Sequence, residues 1–111
     1  MVYFAEHAAL AVLEVRVHLD LPFDLLPDDY VLMRADLPDE PPEMIDAIPL
    51  DPAVAGDDWL AAGRTSVLSV PSILVRAARN LLLNPIHPHA AKARLFSIDP
   101  FDFDPRLWLP A

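Results

Sequence analysis

Glu6-His7-Ala8-Ala9-Leu10-Ala11-Val12-Leu13-Glu14-Val15-Arg16-Val17-His18-Leu19 is the stretch from which the architecture can be read. Nine of the twelve residues from Ala8 to Leu19 are apolar. At about 100° per residue, Leu10, Leu13 and Val17 fall on one stripe and Val12, Val15 and Leu19 on another. His7, Glu14 and His18 share a narrow polar strip, and Arg16 stands alone. An acid near the start suits the positive end of the helix dipole, and Pro22 lies shortly beyond the end. A helix that is apolar nearly all round is normally buried. The sequence therefore predicts a central buried helix over residues 6–19, with Glu14 in a packed setting. A carboxylate there costs free energy unless it is paired or hydrogen-bonded. Two readings follow: a pair with His18 one turn later, or a carboxylate held in a pocket for chemistry.

On either side the chain is punctuated mostly by proline. Met1 to Ala5 reads as the end of a strand, and Tyr30 to Ala35 as another. Leu37 to Pro52 holds five prolines among acids and reads as loop, with a short helix around Met44. Val54 to Ala62 reads as a helix stopped by Gly63. Ser66 to Val75 is a strand-forming run interrupted by Pro71-Ser72, hence an edge, a bulge or two strands. Leu81 to Leu83 reads as a buried strand, Pro88 to Lys92 as a short helix and Arg94 to Ile98 as a last strand. The tail from Asp99 must pack Phe101, Phe103 and Trp108. The sum is a mixed α/β (α+β) fold of at least four short strands around one helix. Strand and helix do not alternate regularly, so a doubly wound parallel sheet is not expected.

Composition excludes several classes. At 111 residues and 54% apolar, the chain has the size of one domain and is too apolar for disorder. The apolar run from Ala8 to Leu13 ends at Glu14, far short of the roughly 20 residues a membrane span needs. Only two glycines, Gly56 and Gly63, are present. That count excludes a Gly-x-Gly-x-x-Gly turn, a P-loop and a Gly-x-Ser-x-Gly elbow. The net charge of −9 argues against direct nucleic-acid binding. Residues 1–63 carry 14 of the 17 acids but only two bases, Arg16 and Arg34. From Ala35 to Gly63 there are eight acids and no base, either a solvated loop region or a face for a basic partner. Without cysteine there is no disulfide framework and no thiolate chemistry. No signal peptide is read at the N-terminus, so a cytoplasmic location is expected.

Three further side chains bear on chemistry. His87-Pro88-His89 sets two rings on a rigid turn, but two ligands do not close a metal site and no metal is expected. Ser72 follows a proline in a strand run, where a serine usually satisfies a local backbone group. Tyr3 stands at a strand end, where an aromatic is usually core.

Taken in order, the stretches Val2-Tyr3-Phe4-Ala5-Glu6, Ala9-Leu10-Ala11-Val12-Leu13-Glu14-Val15 and His18-Leu19 resemble the RES domain, the toxin half of a bacterial toxin–antitoxin pair. The same is true of Gly56-Asp57-Asp58-Trp59-Leu60, Val70-Pro71-Ser72-Ile73-Leu74-Val75, Asn80-Leu81-Leu82-Leu83-Asn84-Pro85-Ile86-His87-Pro88 and Phe103-Asp104-Pro105-Arg106-Leu107. The resemblance runs along residues 1–111 as a single domain, and its strength lies in the ordered set. The family is named for an arginine, a glutamate and a serine. The resemblance matches the glutamate to Glu14, the serine to Ser72 and an active-site tyrosine to Tyr3. It places the arginine in a Gly-Gly-Arg-Trp-Asn-like stretch upstream of Tyr3, so the expectation is a RES domain lacking its N-terminal part. The segment between Ile48 and Trp59 is also shorter than the family's.

The resemblance implies a split small sheet similar to that of the mono-ADP-ribosyltransferases. It implies a toxin that degrades NAD+ by cleaving the nicotinamide–ribose bond, with water, phosphate or a protein as acceptor. NAD+ is then a substrate, and no cofactor is expected. Glu14 and Ser72 are the expected catalytic residues, with Tyr3, Glu14 and Ser72 binding substrate: Tyr3 stacks on nicotinamide and Ser72 bonds ribose or amide. The expected partner is a cognate antitoxin with a helical DNA-binding-type domain, and a homodimer is compatible with the sequence. The alternative is a catalytically inactive, truncated RES domain that serves as an antitoxin-binding module. An unrelated small α/β domain is the remaining reading.

Overall fold

The computed structural model describes residues 1–108. Among them the chain forms six strands and two α-helices: β1 (Val2–Ala5), α1 (Ala8–Val17), β2 (Val31–Asp36), β3 (Glu43–Met44), α2 (Pro52–Ala62), β4 (Val67–Pro71), β5 (Arg79–Leu83) and β6 (Arg94–Pro100). Single 3₁₀ turns occupy Phe23–Leu25, Pro88–Lys92 and Pro105–Trp108. The fold is mixed α/β with two sheets. One has strand order β1-β5-β4-β3, and the other is a β2-β6 ribbon. All pairings are antiparallel except β3 with β4.

Local chemistry explains most boundaries. The imidazole of His7 caps α1 by accepting a hydrogen bond from the Leu10 N–H at 3.2 Å, the role a short polar acceptor usually takes. Glu6, just before it, belongs to the sheet instead. Its backbone N–H bonds the Arg79 carbonyl, and its carboxylate accepts from the Arg79 N–H at 3.1 Å. Asp51 caps α2 through the Val54 N–H, and Gly63 ends it at φ 61°, a left-handed backbone that favours glycine. The run around Pro71 is one strand, and β4 is internal rather than an edge. Pro71 is its last residue, beyond which the missing N–H is harmless.

The core is where α2 crosses the four-stranded sheet. Trp59, Leu68 and Leu82 form it, with Ile45, Leu60 and Val70 packed around them. Trp59 is 1% exposed, and its indole N–H reaches Thr65 Oγ1 at 3.1 Å. A second apolar cluster holds the tail. Phe103 is buried and meets Tyr30, Phe101 and Trp108 edge to face at 5.0–5.7 Å. Arg16 lies over the Trp108 ring at 4.1 Å and donates to the Leu107 carbonyl at 3.0 Å.

Two expectations are corrected. The short helix around Met44 is strand β3, because Glu43 and Met44 pair with Leu68 and Ser69 at the sheet edge. Helix α1 is shorter than residues 6–19 and is not buried all round. Leu10 is enclosed, but Leu13, Val15 and Val17 remain on the surface. One small sheet covers only one side of a helix, and the stripe that meets it carries Leu10 and, one turn later, Glu14.

Candidate active site around Glu14

Position 14 lies one turn beyond the buried Leu10, on the same face of α1. That face points its carboxylate at the place where β4 ends and β5 begins. There Ser72 extends the ladder past Pro71, its N–H donating to the Ala78 carbonyl at 2.9 Å. Asn80 stands opposite Val70 on β5. Ser72 Oγ donates to Glu14 Oε1 at 2.9 Å, and Asn80 Nδ2 donates to the same oxygen at 3.0 Å. Both bonds go to one oxygen. Among the described residues Oε2 accepts none.

Ser72 itself is saturated. Its hydroxyl proton goes to Glu14, and its oxygen accepts the Leu74 and Val75 N–H groups at 3.2 Å each. It is 0% exposed and does not line the cleft. With its donor given to Glu14 and its oxygen accepting two N–H groups, the Ser72 hydroxyl is directed at Glu14 and the adjoining backbone rather than into the open cleft. The structure places Ser72 behind Glu14, fixing its position.

Glu14, Asn80 and Tyr3 line a cleft of about 490 Å³, together with Ile45, Leu68 and Asp57 among others. That volume lies within the roughly 300–1,000 Å³ of small-molecule sites. The walls are mostly apolar. Among the described residues no lysine, arginine or histidine lines it, so its charged side chains are two carboxylates. Tyr3 is 70% exposed, not core, and stands opposite Leu82 on the neighbouring strand. A second hollow of about 460 Å³ shares Tyr3, Glu14 and Asn80 and adds His18. His18 is thus near Glu14 without bonding it, and the reading of a Glu14–His18 pair is replaced by Ser72 and Asn80.

Two residues of this region were not legible as site residues. Asn80 carries half of the hold on Glu14, and its signal was a lone amide opening the apolar run Leu81-Leu82-Leu83. Arg79 pins the wall that carries Ile45: Nη2 donates to the Ile45 and Ser69 carbonyls at 2.5 and 2.9 Å, and Nε to Ser69 Oγ at 2.6 Å.

The RES domain family model matches residues 1–105, and this span holds Tyr3, Glu14, Ser72 and Asn80. The chain belongs to the RES domain family. This RES domain is 36% identical over 121 residues to a Prs ADP-ribosylating toxin of Sphingobium sp. (strain YBL2), covering 96% of this chain and 74% of that protein. It is 34% identical over 119 residues to a Toxin Res of Yersinia enterocolitica, covering 96% and 76%. A Toxin Res of Pseudomonas putida is 31% identical over 116 residues, covering 97% and 79%. No helix among the described residues of this RES domain is long and apolar enough to cross a membrane.

Proposed function

We propose that this RES domain is the toxin of a toxin–antitoxin pair and acts on NAD+ at Glu14. The C1′–N bond breaks, nicotinamide leaves with the electron pair as a neutral molecule, and an acceptor oxygen takes the ADP-ribosyl group. The acceptor is water, phosphate or a protein side chain, and its proton goes to solvent. Because the leaving group is neutral, no general acid is needed. One carboxylate facing an oxocarbenium-like centre is enough to stabilise the developing charge.

The observation that carries this reading is the asymmetry of Glu14. Oε1 is fixed by Ser72 and Asn80, while Oε2 has no protein partner among the described residues and Glu14 borders the cleft. A carboxylate oriented in advance needs little reorganisation when positive charge develops. Tyr3 offers an exposed ring for the pyridinium, an arrangement of cation over aromatic face. The antitoxin partner is proposed from the toxin names of the relatives.

The test is nicotinamide release from NAD+ by the purified protein, and Glu14→Gln is expected to lower it at least about 100-fold. Equal rates for Glu14→Gln and wild type would sink the proposal. One feature favours a second reading, an inactive antitoxin-binding module: the cleft has no cationic side chain among the described residues to meet a pyrophosphate. Stable capture of the antitoxin without NAD+ loss by the freed protein supports that reading instead.

A further inference from the structure

Away from the cleft, three side chains converge from two distant parts of the chain. Glu40 lies in the segment between β2 and β3. His87 and His89 flank Pro88 in the turn after β5. His89 Nδ1 meets Glu40 Oε2 at 2.5 Å, although the two residues are 49 positions apart. One donor atom each from Glu40, His87 and His89 lies within 4.8 Å of the other two. Glu40 and His87 are half-buried and His89 is exposed, so the cluster is open to solvent on one side.

We propose that Glu40, His87 and His89 form a binding site for a divalent transition-metal ion, Zn²⁺ being the ion that suits it. Two imidazoles and one carboxylate are borderline donors of the kind zinc takes, whereas calcium and magnesium take oxygen ligands. Three protein ligands leave a fourth position for water on the solvent side.

The surroundings are those of a prepared set. Proline between the histidines fixes their spacing, and the rings stand 5.0 Å apart between centroids. Ser66 holds the other carboxylate oxygen: its N–H donates to Glu40 Oε1 at 3.0 Å, and its hydroxyl donates to the same atom. An outer partner of this kind orients a ligating carboxylate. Loading the site has two local consequences. The His89–Glu40 contact opens to about 3.4 Å, the tetrahedral edge imposed by metal bonds of ~2.0–2.2 Å. His87 Nδ1, which now accepts the His89 backbone N–H at 3.0 Å, exchanges that bond for the metal or turns its ring. The ion then fastens the segment before β3 to the turn after β5 and stabilises the native state by linkage.

The experiment titrates the full, chelator-treated protein with ZnCl₂ by calorimetry and with Co²⁺ by visible absorption, with melting followed in parallel. Saturable binding of one ion per chain is expected, together with a rise in Tm. His87→Ala and His89→Ala should each weaken binding at least tenfold, and Ser66→Ala, which removes the hydroxyl donor to Glu40 but keeps the backbone N–H, by up to about tenfold. Glu40→Gln disturbs the Ser66 contact as well. His89→Ala leaves that contact in place, so the result remains decisive if Glu40→Gln folds poorly. No saturable binding, or equal affinity in wild type, His87→Ala and His89→Ala, overturns the proposal. Neither readout depends on turnover of NAD+.

Discussion

At the scale of single residues, the hydroxyl of Ser72 decides how Glu14 is presented. It donates once and accepts twice, so Ser72→Ala strips a donor from the carboxylate and leaves the Leu74 and Val75 N–H groups without a partner. Such orphaned groups cost about 1–3 kcal/mol of stability, readable by urea unfolding. Asn80→Ala removes only one bond to Glu14 and should cost about 1 kcal/mol. Under the proposed function, both variants should lower kcat for nicotinamide release with little change in KM, the outcome expected if they act by orienting Glu14. Ser72→Thr, which keeps the hydroxyl, should recover part of the loss. A change in KM alone would assign Ser72 or Asn80 to substrate binding.

Glu14 was legible because an acid on an apolar helix demands a reason. Its partners were not. His18 satisfies the i, i+4 rule but stays exposed near the helix end, while Ser72 and Asn80 are held by sheet bonds at fixed distance. Sequence spacing reports only neighbours on one element, and these donors lie 58 and 66 positions away.

At the scale of elements, short pieces of this chain are settled by neighbours more than by propensity. Glu43-Met44 is strand only because β4 offers it an edge. Helix α2 is the contrary case: Asp51 as cap, Pro52 at its first turn and Gly63 as its stop are all local signals. The last 3₁₀ turn depends on charge. Arg106 donates to the Asp104 carboxylate through its guanidinium at 3.0 and 2.7 Å and its backbone N–H at 2.8 Å. Those bonds, the side-chain ones foremost, hold the Asp104 pKa down at about 2. A depressed carboxylate stabilises the fold above its unfolded value of about 3.9 and ceases to do so as pH falls through about 2. The pair is exposed, so the effect on stability is small. A carboxyl ¹³C titration should place the Asp104 midpoint near 2, and Arg106→Ala should return it toward about 3.9. An unchanged midpoint in that variant would refute the attribution.

At the scale of the whole molecule, Trp59 ties α2 to the sheet through Leu68 and Leu82. Trp59→Ala should cost about 3–5 kcal/mol, a large share of the roughly 5–15 kcal/mol by which a domain is stable. The denaturation midpoint would fall sharply, and a shift no larger than that of a surface substitution would show that the core lies elsewhere. The cleft is bounded by the same framework: Leu68 and Leu82 belong to both core and lining.

Length, apolar content, the proline-rich punctuation and the ordered run of motifs were enough by themselves to set a mixed α/β class, a RES domain and Glu14 as its candidate carboxylate, because those properties live in local pattern. Folding alone decided that α1 is covered on one side, that Ser72 stands behind Glu14, that Asn80 shares the same oxygen, and that Glu40 meets His87 and His89. Each depends on groups far apart in the chain, whose distance is set only when strand pairing and the burial of Trp59 close the structure.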